Sequence, residues 1–247
     1  MQDATTRPLI SAHRGGRAEA PENTAAAFAR AAEMGIPGAE CDVRISGDSV
    51  AMVIHDATVD RTTGSSGQVR LMTAAELGDL DARAESPDWP TPVAVPTFAE
   101  VAQIAREIEY FEVEIKADAN ERIERLIPLL IEDIDSTEIR DIVKFISFEP
   151  GILELCYELA PDIPMALVGV FGSETNIQAA IDLHCNSIAA SVSHLNQDVV
   201  NAAHQAGLSV TCWTVNTAED FANMVDWGVD VVTTDRPTMM QTLLEDG

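Results

Sequence analysis

The sequence predicts an α/β fold built on a closed parallel barrel, (β/α)8, and three observations lead there. Strand-like apolar runs alternate with helix-like segments from residue 8 to residue 234 of the 247-residue chain. Such alternation favours a parallel sheet, and over about 250 residues the eight-stranded barrel among parallel sheets. Nine runs occur, at 8–13, 38–44, 50–55, 110–116, 142–148, 164–170, 187–193, 207–215 and 229–234. Only Ile45-Ser46-Gly47-Asp48-Ser49 separates the second from the third, far short of the roughly a dozen residues that a parallel crossover needs. Segment 50–55 is therefore expected as a hairpin arm. Its removal leaves eight barrel strands and folds residue 55 back near residue 40.

The helices between the runs carry their own start signals. Asn23-Thr24 precedes Ala25 to Met34 and Gly35 follows, a capping residue at one end and a stop at the other. Thr73-x-x-Glu76 and Thr97-x-x-Glu100 fit the capping box. Thr217 is placed to cap 218–227, with Asp220 in the first turn. Residues 56–96 break the rhythm with Gly64-Ser65-Ser66-Gly67 and Pro87, Pro90, Pro92 and Pro96. This stretch reads as a small insertion or lid after the second strand's hairpin, inside one domain covering 1–247.

Composition excludes several classes of partner. The hydrophobic fraction of 46% is that of a globular chain, and no apolar run reaches the length of a membrane span. The start, Met1-Gln2-Asp3-Ala4-Thr5-Thr6-Arg7, lacks the apolar core of a signal peptide, so a cytoplasmic location is expected. Cys41, Cys156, Cys185 and Cys212 form no CxxC pair and are expected as buried free thiols. The net charge of −26 argues against nucleic acid and stable membrane association. Basic residues are 13 Arg and 2 Lys, a lysine-poor acidic surface that suggests a halophilic, salt-rich setting.

Charged residues recur at strand ends. His13 closes Pro8-Leu9-Ile10-Ser11-Ala12, and His55 ends Val50-Ala51-Met52-Val53-Ile54. Glu40 and Asp42 lie in Ala39-Glu40-Cys41-Asp42-Val43, and Glu114 and Lys116 in Phe111-Glu112-Val113-Glu114-Ile115-Lys116. Side chains alternate along a strand, so each pair shares a face. Charges on apolar strands are costly to bury without partners, which marks them as a site.

The ordered motifs His13-Arg14-Gly15, Pro21-Glu22-Asn23-Thr24, Glu40-x-Asp42-Val43, His55-Asp56, Arg61-Thr62-Thr63-Gly64, Glu114-Ile115-Lys116, Ser147-Phe148, Trp213-Thr214-Val215-Asn216 and Thr234-Asp235-Arg236-Pro237 resemble those of the glycerophosphodiester phosphodiesterase family, from about residue 9 to 238. The resemblance implies a TIM barrel with a small insertion. It also implies a divalent cation, Mg2+ or Ca2+, and hydrolysis of glycerophosphodiesters to glycerol 3-phosphate and an alcohol. By position, His13 and His55 match the catalytic histidines, and Glu40, Asp42 and Glu114 match the metal ligands. Arg14 and Lys116 match phosphate contacts, and Phe148 and Trp213 match an apolar wall near the glycerol. Two departures stand out. The hairpin reads Ser46-Gly47-Asp48-Ser49 where the family has Thr-x-Asp-Gly, and Leu80-Asp81-Ala82-Arg83 replaces Leu-Asp-Ala-Gly.

The implied chemistry suits these residue types. Imidazoles titrate near neutral pH and serve as base or acid; His13 is assigned as base and His55 as acid. The nucleophile is water or the glycerol 2-hydroxyl. Three carboxylates in one place repel unless a cation joins them, and hard oxygen donors select magnesium or calcium over zinc. Glu112 is open between a further ligand and a pair with a nearby Arg or support of the metal shell, Asp235 between loop orientation and substrate contact, and Glu22 between a helix-start role and support of Arg14 or the metal. Gly15 and Gly16 serve the backbone, and His184, His194 and His204 are left outside the site. The competing readings are a lipid-attacking phospholipase D-like or phosphoinositide-type relative and a non-catalytic binding barrel.

Overall fold

The computed structural model describes residues 7–171 and 174–246. Nine strands form one sheet: β1 Leu9–His13, β2 Gly38–Ile45, β3 Ala51–Val53, β4 Tyr110–Ile115, β5 Val143–Ser147, β6 Met165–Gly169, β7 Ser187–Ser191, β8 Ser209–Trp213 and β9 Val231–Thr234. Their order is β1-β9-β8-β7-β6-β5-β4-β2-β3, and a β1–β2 pairing closes the ring. Eight strands are parallel and β3 alone runs antiparallel, paired with β2 as Val43↔Val53 and Ile45↔Ala51. The expected (β/α)8 barrel with a hairpin on its second strand is what the chain forms.

The helices are α1 Ala25–Glu33, α2 Asp60–Thr63, α3 Ala74–Gly78, α4 Phe98–Ala105, α5 Asn120–Ser136, α6 Pro150–Leu159, α7 Glu174–Asp182, α8 Gln197–Gln205, α9 Ala218–Trp227 and α10 Pro237–Asp246. The caps read from sequence are present. Thr24 accepts from Ala27 N–H, Thr217 accepts from Asp220 N–H, and Thr73 and Thr97 each close a capping box. All four cysteines are buried and free.

Two faces of the same strands take opposite tasks. Ala39, Cys41 and Val43 of β2 and Phe111, Val113 and Ile115 of β4 join the main core between sheet and helices. The intervening Glu40, Asp42, Glu112 and Glu114 are buried as well, each at most 9% exposed. The strand pattern is thus apolar outward and acidic inward. Across the barrel the interior changes character: Ile146, Ala166, Val168 and Ala189 form a separate apolar cluster with Trp213 packed on it.

The segment between β3 and α4 has its own small core of Met52, Ile54, Val59, Val69, Leu77, Ala82 and Val95. Arg83, the departure noted above, pins this segment. Its Nη2 donates to Asp81 at 2.7 Å and its Nη1 to the Trp89 carbonyl at 2.7 Å. The hairpin departure is also accounted for. Gly47 passes so close to the insertion that a Cβ there would lie 3.0 Å from the Met72 carbonyl oxygen, and its N–H donates to that oxygen at 2.7 Å. Ser49 takes the left-handed turn position, with φ 67°. An L-residue in this region costs about 1–2 kcal/mol, partly offset for glycine by its greater chain entropy. Ser49→Gly is therefore expected to stabilise the fold by about 0.5–1 kcal/mol, raising Tm by roughly 2 °C. Thermal or urea unfolding checks it, and Gly47→Ala is expected to lower stability in the same measurement.

Candidate active site

Register assembles the site. Glu40 pairs with His13 across β1–β2 and with Glu112 across β2–β4, and Asp42 pairs with Glu114. Inward-facing positions two residues apart on neighbouring strands thereby stack at the carboxyl ends of the barrel strands, where barrel enzymes place their chemistry. One carboxylate oxygen from each of Glu40, Asp42 and Glu114 lies within 4.8 Å of the others.

Two cations compensate this triad unequally. Lys116 Nζ sits 2.7 Å from Asp42 Oδ1 and also contacts Glu114 Oε1. Arg14 Nε is 3.2 Å from Asp42 Oδ2, and its Nη1 donates to Glu22 at 3.0 Å. Asn23, in a left-handed conformation (φ 56°), donates to Asp42 Oδ2 at 2.7 Å. Burial works against the charge of Asp42, but Lys116 and Arg14 prevail and hold it below the usual carboxylate range. Burial and Asp42 push Glu114 up to about 6. Burial, with Asp42 and Glu114 beside it, pushes Glu40 well above its ordinary value. Glu40 receives the Arg14 backbone N–H on Oε2 at 3.0 Å, while Oε1, buried, has no hydrogen-bond partner among the described residues. A buried acceptor left open inside a ring of hard oxygen donors fits a divalent cation of the magnesium or calcium type.

Each histidine leans on an aspartate. His13 Nδ1 is 2.6 Å from Asp235 Oδ1, and Asn216 holds the other oxygen with a 2.8 Å hydrogen bond from Nδ2. His13 Nε2 faces Glu40 Oε2 at 3.9 Å. His55 Nδ1 is 2.6 Å from Asp56 Oδ1. Burial lowers the His55 pKa despite the charge of Asp42, so its neutral, proton-accepting form is favoured. Asp56 itself is drawn down to about 2, against its partial burial, by Arg61 and His55.

His13, Arg14, Glu40, His55, Glu114 and Lys116 line one side of a cavity of about 150 Å³, and Ile146, Phe148, Val168, Ala189 and Trp213 line the other. Phe148 and Trp213 meet edge to face with ring centroids 5.7 Å apart. Trp213 is oriented by its indole N–H on the Ala189 carbonyl at 3.1 Å. All nine residues singled out from sequence therefore converge, eight on the cavity itself and Asp42 behind it.

The open readings resolve in part. Glu112 stands apart from the triad: it accepts from Tyr110 Oη at 2.7 Å and Thr211 Oγ1 at 2.9 Å, and forms the cavity floor with Thr211 and Thr233. Asp235 orients His13, and Glu22 supports Arg14 and Arg61. Gly15 and Gly16 have φ of 80° and 92°, so both serve the backbone. The supporting roles of Asp56, Asn23, Arg61 and Asn216 were unassigned from sequence, although each lies inside a quoted motif. Adjacency of Asp56 to His55 was the one local signal.

A profile of the glycerophosphoryl diester phosphodiesterase family matches residues 13–239. The chain belongs to this family. Membership carries the reaction class, hydrolysis of a phosphodiester. A glycerophosphodiester phosphodiesterase of Caldanaerobacter subterraneus is 31% identical over 98% of this chain and 99% of its own. One from Bacillus altitudinis is 31% identical over 92% and 94%. Among solved structures, an Oleispira antarctica phosphodiesterase in complex with the product sn-glycerol-3-phosphate superposes with a TM-score of 0.89, at 26% identity, over 96% of this chain and 97% of that one.

The unequal compensation of the triad predicts opposite effects on stability and on ion binding. Glu40→Gln removes one buried negative charge while retaining an acceptor for Arg14 N–H. Its Tm in EDTA is expected to equal or exceed that of the parent. The Tm rise produced in the parent by millimolar magnesium or calcium is expected to shrink or vanish. Melting curves with and without each ion check both halves.

Proposed function

We propose that the chain is a cytoplasmic, metal-dependent enzyme that hydrolyses small glycerophosphodiesters to glycerol 3-phosphate and an alcohol by histidine acid–base catalysis. One observation carries this reading: two histidine–aspartate pairs and a triad of buried carboxylates, one oxygen of it open, share one wall of a cavity whose other wall is apolar. Family membership supports it, as does the glycerol 3-phosphate held by the Oleispira protein.

In this reading Glu40, Asp42 and Glu114 would hold a divalent ion, whose contribution when bound would be to polarise a phosphoryl oxygen and orient the diester. Lys116 and Arg14 face the same oxygens as fixed positive charges. His55, whose neutral form partial burial favours, takes the proton of the nucleophile, a water or the glycerol 2-hydroxyl. His13 Nε2 gives a proton to the departing alkoxide. This exchanges the two roles assigned from sequence, on the ground that burial favours the proton-accepting form of His55. Asp235 and Asp56 fix the tautomer by taking the Nδ1 side of each ring, leaving Nε2 to act. Phe148 and Trp213 pack on the carbon skeleton of the glycerol.

The cavity's size and the charge of −26 favour a small soluble diester over an intact lipid in an anionic bilayer. Among the described residues no helix is long and apolar enough to cross a membrane.

Three measurements test the proposal. Purified protein with glycerophosphocholine and magnesium or calcium is expected to release glycerol 3-phosphate and to stop in EDTA; no product with any divalent ion, beside an active control, sinks it. His13→Ala and His55→Ala are each expected to lose about two to four powers of ten in turnover. On a diester with a nitrophenolate leaving group, which needs no proton, the His13→Ala loss is expected to shrink while the His55→Ala loss persists. Equal losses on both substrates count against the division of roles. The acidic surface further predicts activity that is retained or increased in molar KCl; a maximum near zero salt followed by a steep fall counts against the halophilic reading.

A further inference from the structure

Arg61 lies on α2 of the insertion and does not line the cavity. Its guanidinium hydrogen-bonds two acids, with a third, Glu85, at 3.8 Å from Nη1. Nε donates to Asp56 Oδ2 at 2.7 Å, and Nη1 and Nη2 donate to the two oxygens of Glu22 at 2.8 Å each. Asp56 is the carboxylate that takes His55 Nδ1 at 2.6 Å. Glu22, only 4% exposed, also accepts from Arg14 Nη1 at 3.0 Å. One side chain of the insertion thus closes a continuous path from the His55 ring to the Arg14 guanidinium.

The two histidines are held differently. His13 is fixed by Asp235 and Asn216, which follow barrel strands β9 and β8, with Arg17 Nε a further 3.8 Å from that Asp235 oxygen and 3.9 Å from Glu22. The His55 backbone is fixed from the barrel side, where Arg44 Nε donates to its carbonyl at 2.8 Å. The His55 ring, by contrast, depends on Asp56. Asp56 is about a third exposed, so an unsupported carboxylate there would sample water-facing rotamers.

We infer that Arg61 is a positioning residue through which the insertion orients the ring of His55, while His13 is held by Asp235 and Asn216, neither of which Arg61 contacts. Nε and the two Nη groups of one planar fork lie on fixed sides, so seating the Nη edge on Glu22 aims Nε at Asp56. Lysine keeps the charge but has no second edge, and it cannot hold both acids at these distances. A purely electrostatic role would survive that exchange; a positioning role would not. The inference rests on the catalytic reading of His55, and the test separates the two.

Proton NMR at low temperature supplies the readout that a merely structural role would not move. Each imidazole Nδ1–H on a carboxylate at 2.6 Å is expected to give a far-downfield resonance protected from exchange with water. The parent is expected to show two, assigned by loss of one in Asp56→Asn and of the other in Asp235→Asn. Arg61→Lys and Arg61→Ala are expected to lose or broaden the His55 resonance and keep that of His13. Their kcat is expected to fall about 10- to 100-fold, the range for loss of a group that orients an active residue. KM is expected to stay within about threefold, since Arg14 retains Asp42. Added guanidinium is expected to restore part of the Arg61→Ala rate and none of the Arg61→Lys rate. Circular dichroism confirms the fold, and Arg61→Lys decides the matter if Arg61→Ala melts. A folded Arg61→Lys with both resonances intact and kcat within about twofold of the parent overturns the inference. Full activity in His55→Ala overturns instead the catalytic reading, while the resonances still report whether Arg61 holds the ring.

Discussion

The attraction between Lys116, Arg14 and the buried carboxylate of Asp42 is the contact on which the rest of the site depends. Asp42 is 1% exposed and takes Lys116 on one oxygen and Arg14 with Asn23 on the other. A carboxylate with that little water is tolerable only when paired and hydrogen-bonded. Reaching it sets the course of the chain between β1 and α1. Arg14 and Asn23 both adopt positive φ, 52° and 56°, conformations that are costly outside glycine and are accepted where the surroundings over-determine them. Thr24 then starts α1 directly after Asn23 has reached its acid. The loop that seems irregular in sequence is a cradle built around one buried charge.

The compensation stops short of neutrality, and this gives the site its chemical direction. Lys116 pairs with Asp42 and Glu114 and Arg14 with Asp42, so Glu40 is left with a backbone N–H on one oxygen and, among the described residues, no hydrogen-bond partner on the other. A protein optimised for stability alone would not keep three acids within 4.8 Å around two cations. Binding of anything that favours the folded form offsets such a strain by mass action. The opposite half of the barrel completes the design, because the small side chain of Ala189 there leaves room where a branched one would fill the interior. Glu112 shows that acidity alone does not make a site. Two residues below Glu114 on the same face, it is satisfied by Tyr110, Thr211 and Thr233 and closes the floor.

Much of this was legible before any coordinates. The alternation of runs and the five-residue gap between β2 and β3 lead to eight barrel strands plus one arm, because chain length forbids a parallel return there. The same hairpin brings His55 toward β2: the Ile54 N–H donates to the Asp42 carbonyl at 2.9 Å. The nine predicted site residues were reachable because strand periodicity and ordered motifs act over short spans. What escaped depends on pairing between distant segments. Asp235 meets His13 across 222 residues, and Arg61 meets Glu22 across 39; no local pattern encodes such distances. The strand ends also moved, with 207–215 contracting to Ser209–Trp213. Gly207, at φ 80°, belongs to the turn after α8, and Val215 N–H reaches the Thr233 carbonyl from outside the strand.

The overall charge poses a remaining physical question, since a body of −26 repels a phosphodiester anion. Range decides the outcome. Surface charges act over about 10 Å at 0.1 M salt and about 3 Å at 1 M, while Lys116 and Arg14, their side chains only 10% exposed, act at contact distance. Raising the salt therefore weakens the distant repulsion faster than the local attraction, because buried pairs are screened far less than exposed ones. Both cations remain charged in this setting: burial opposes the charge of Lys116, but Asp42 and Glu114 raise its pKa above the ordinary value. Of the two lysines in the chain, one stands at this point and the other, Lys144, is buried over the Tyr110 ring at the opposite end of the interior. Neither dresses the surface. The chain thus assigns its scarce ammonium groups to the inside of the barrel and leaves the outside to carboxylates and arginines, a division that separates long-range electrostatics from the short-range electrostatics of the site.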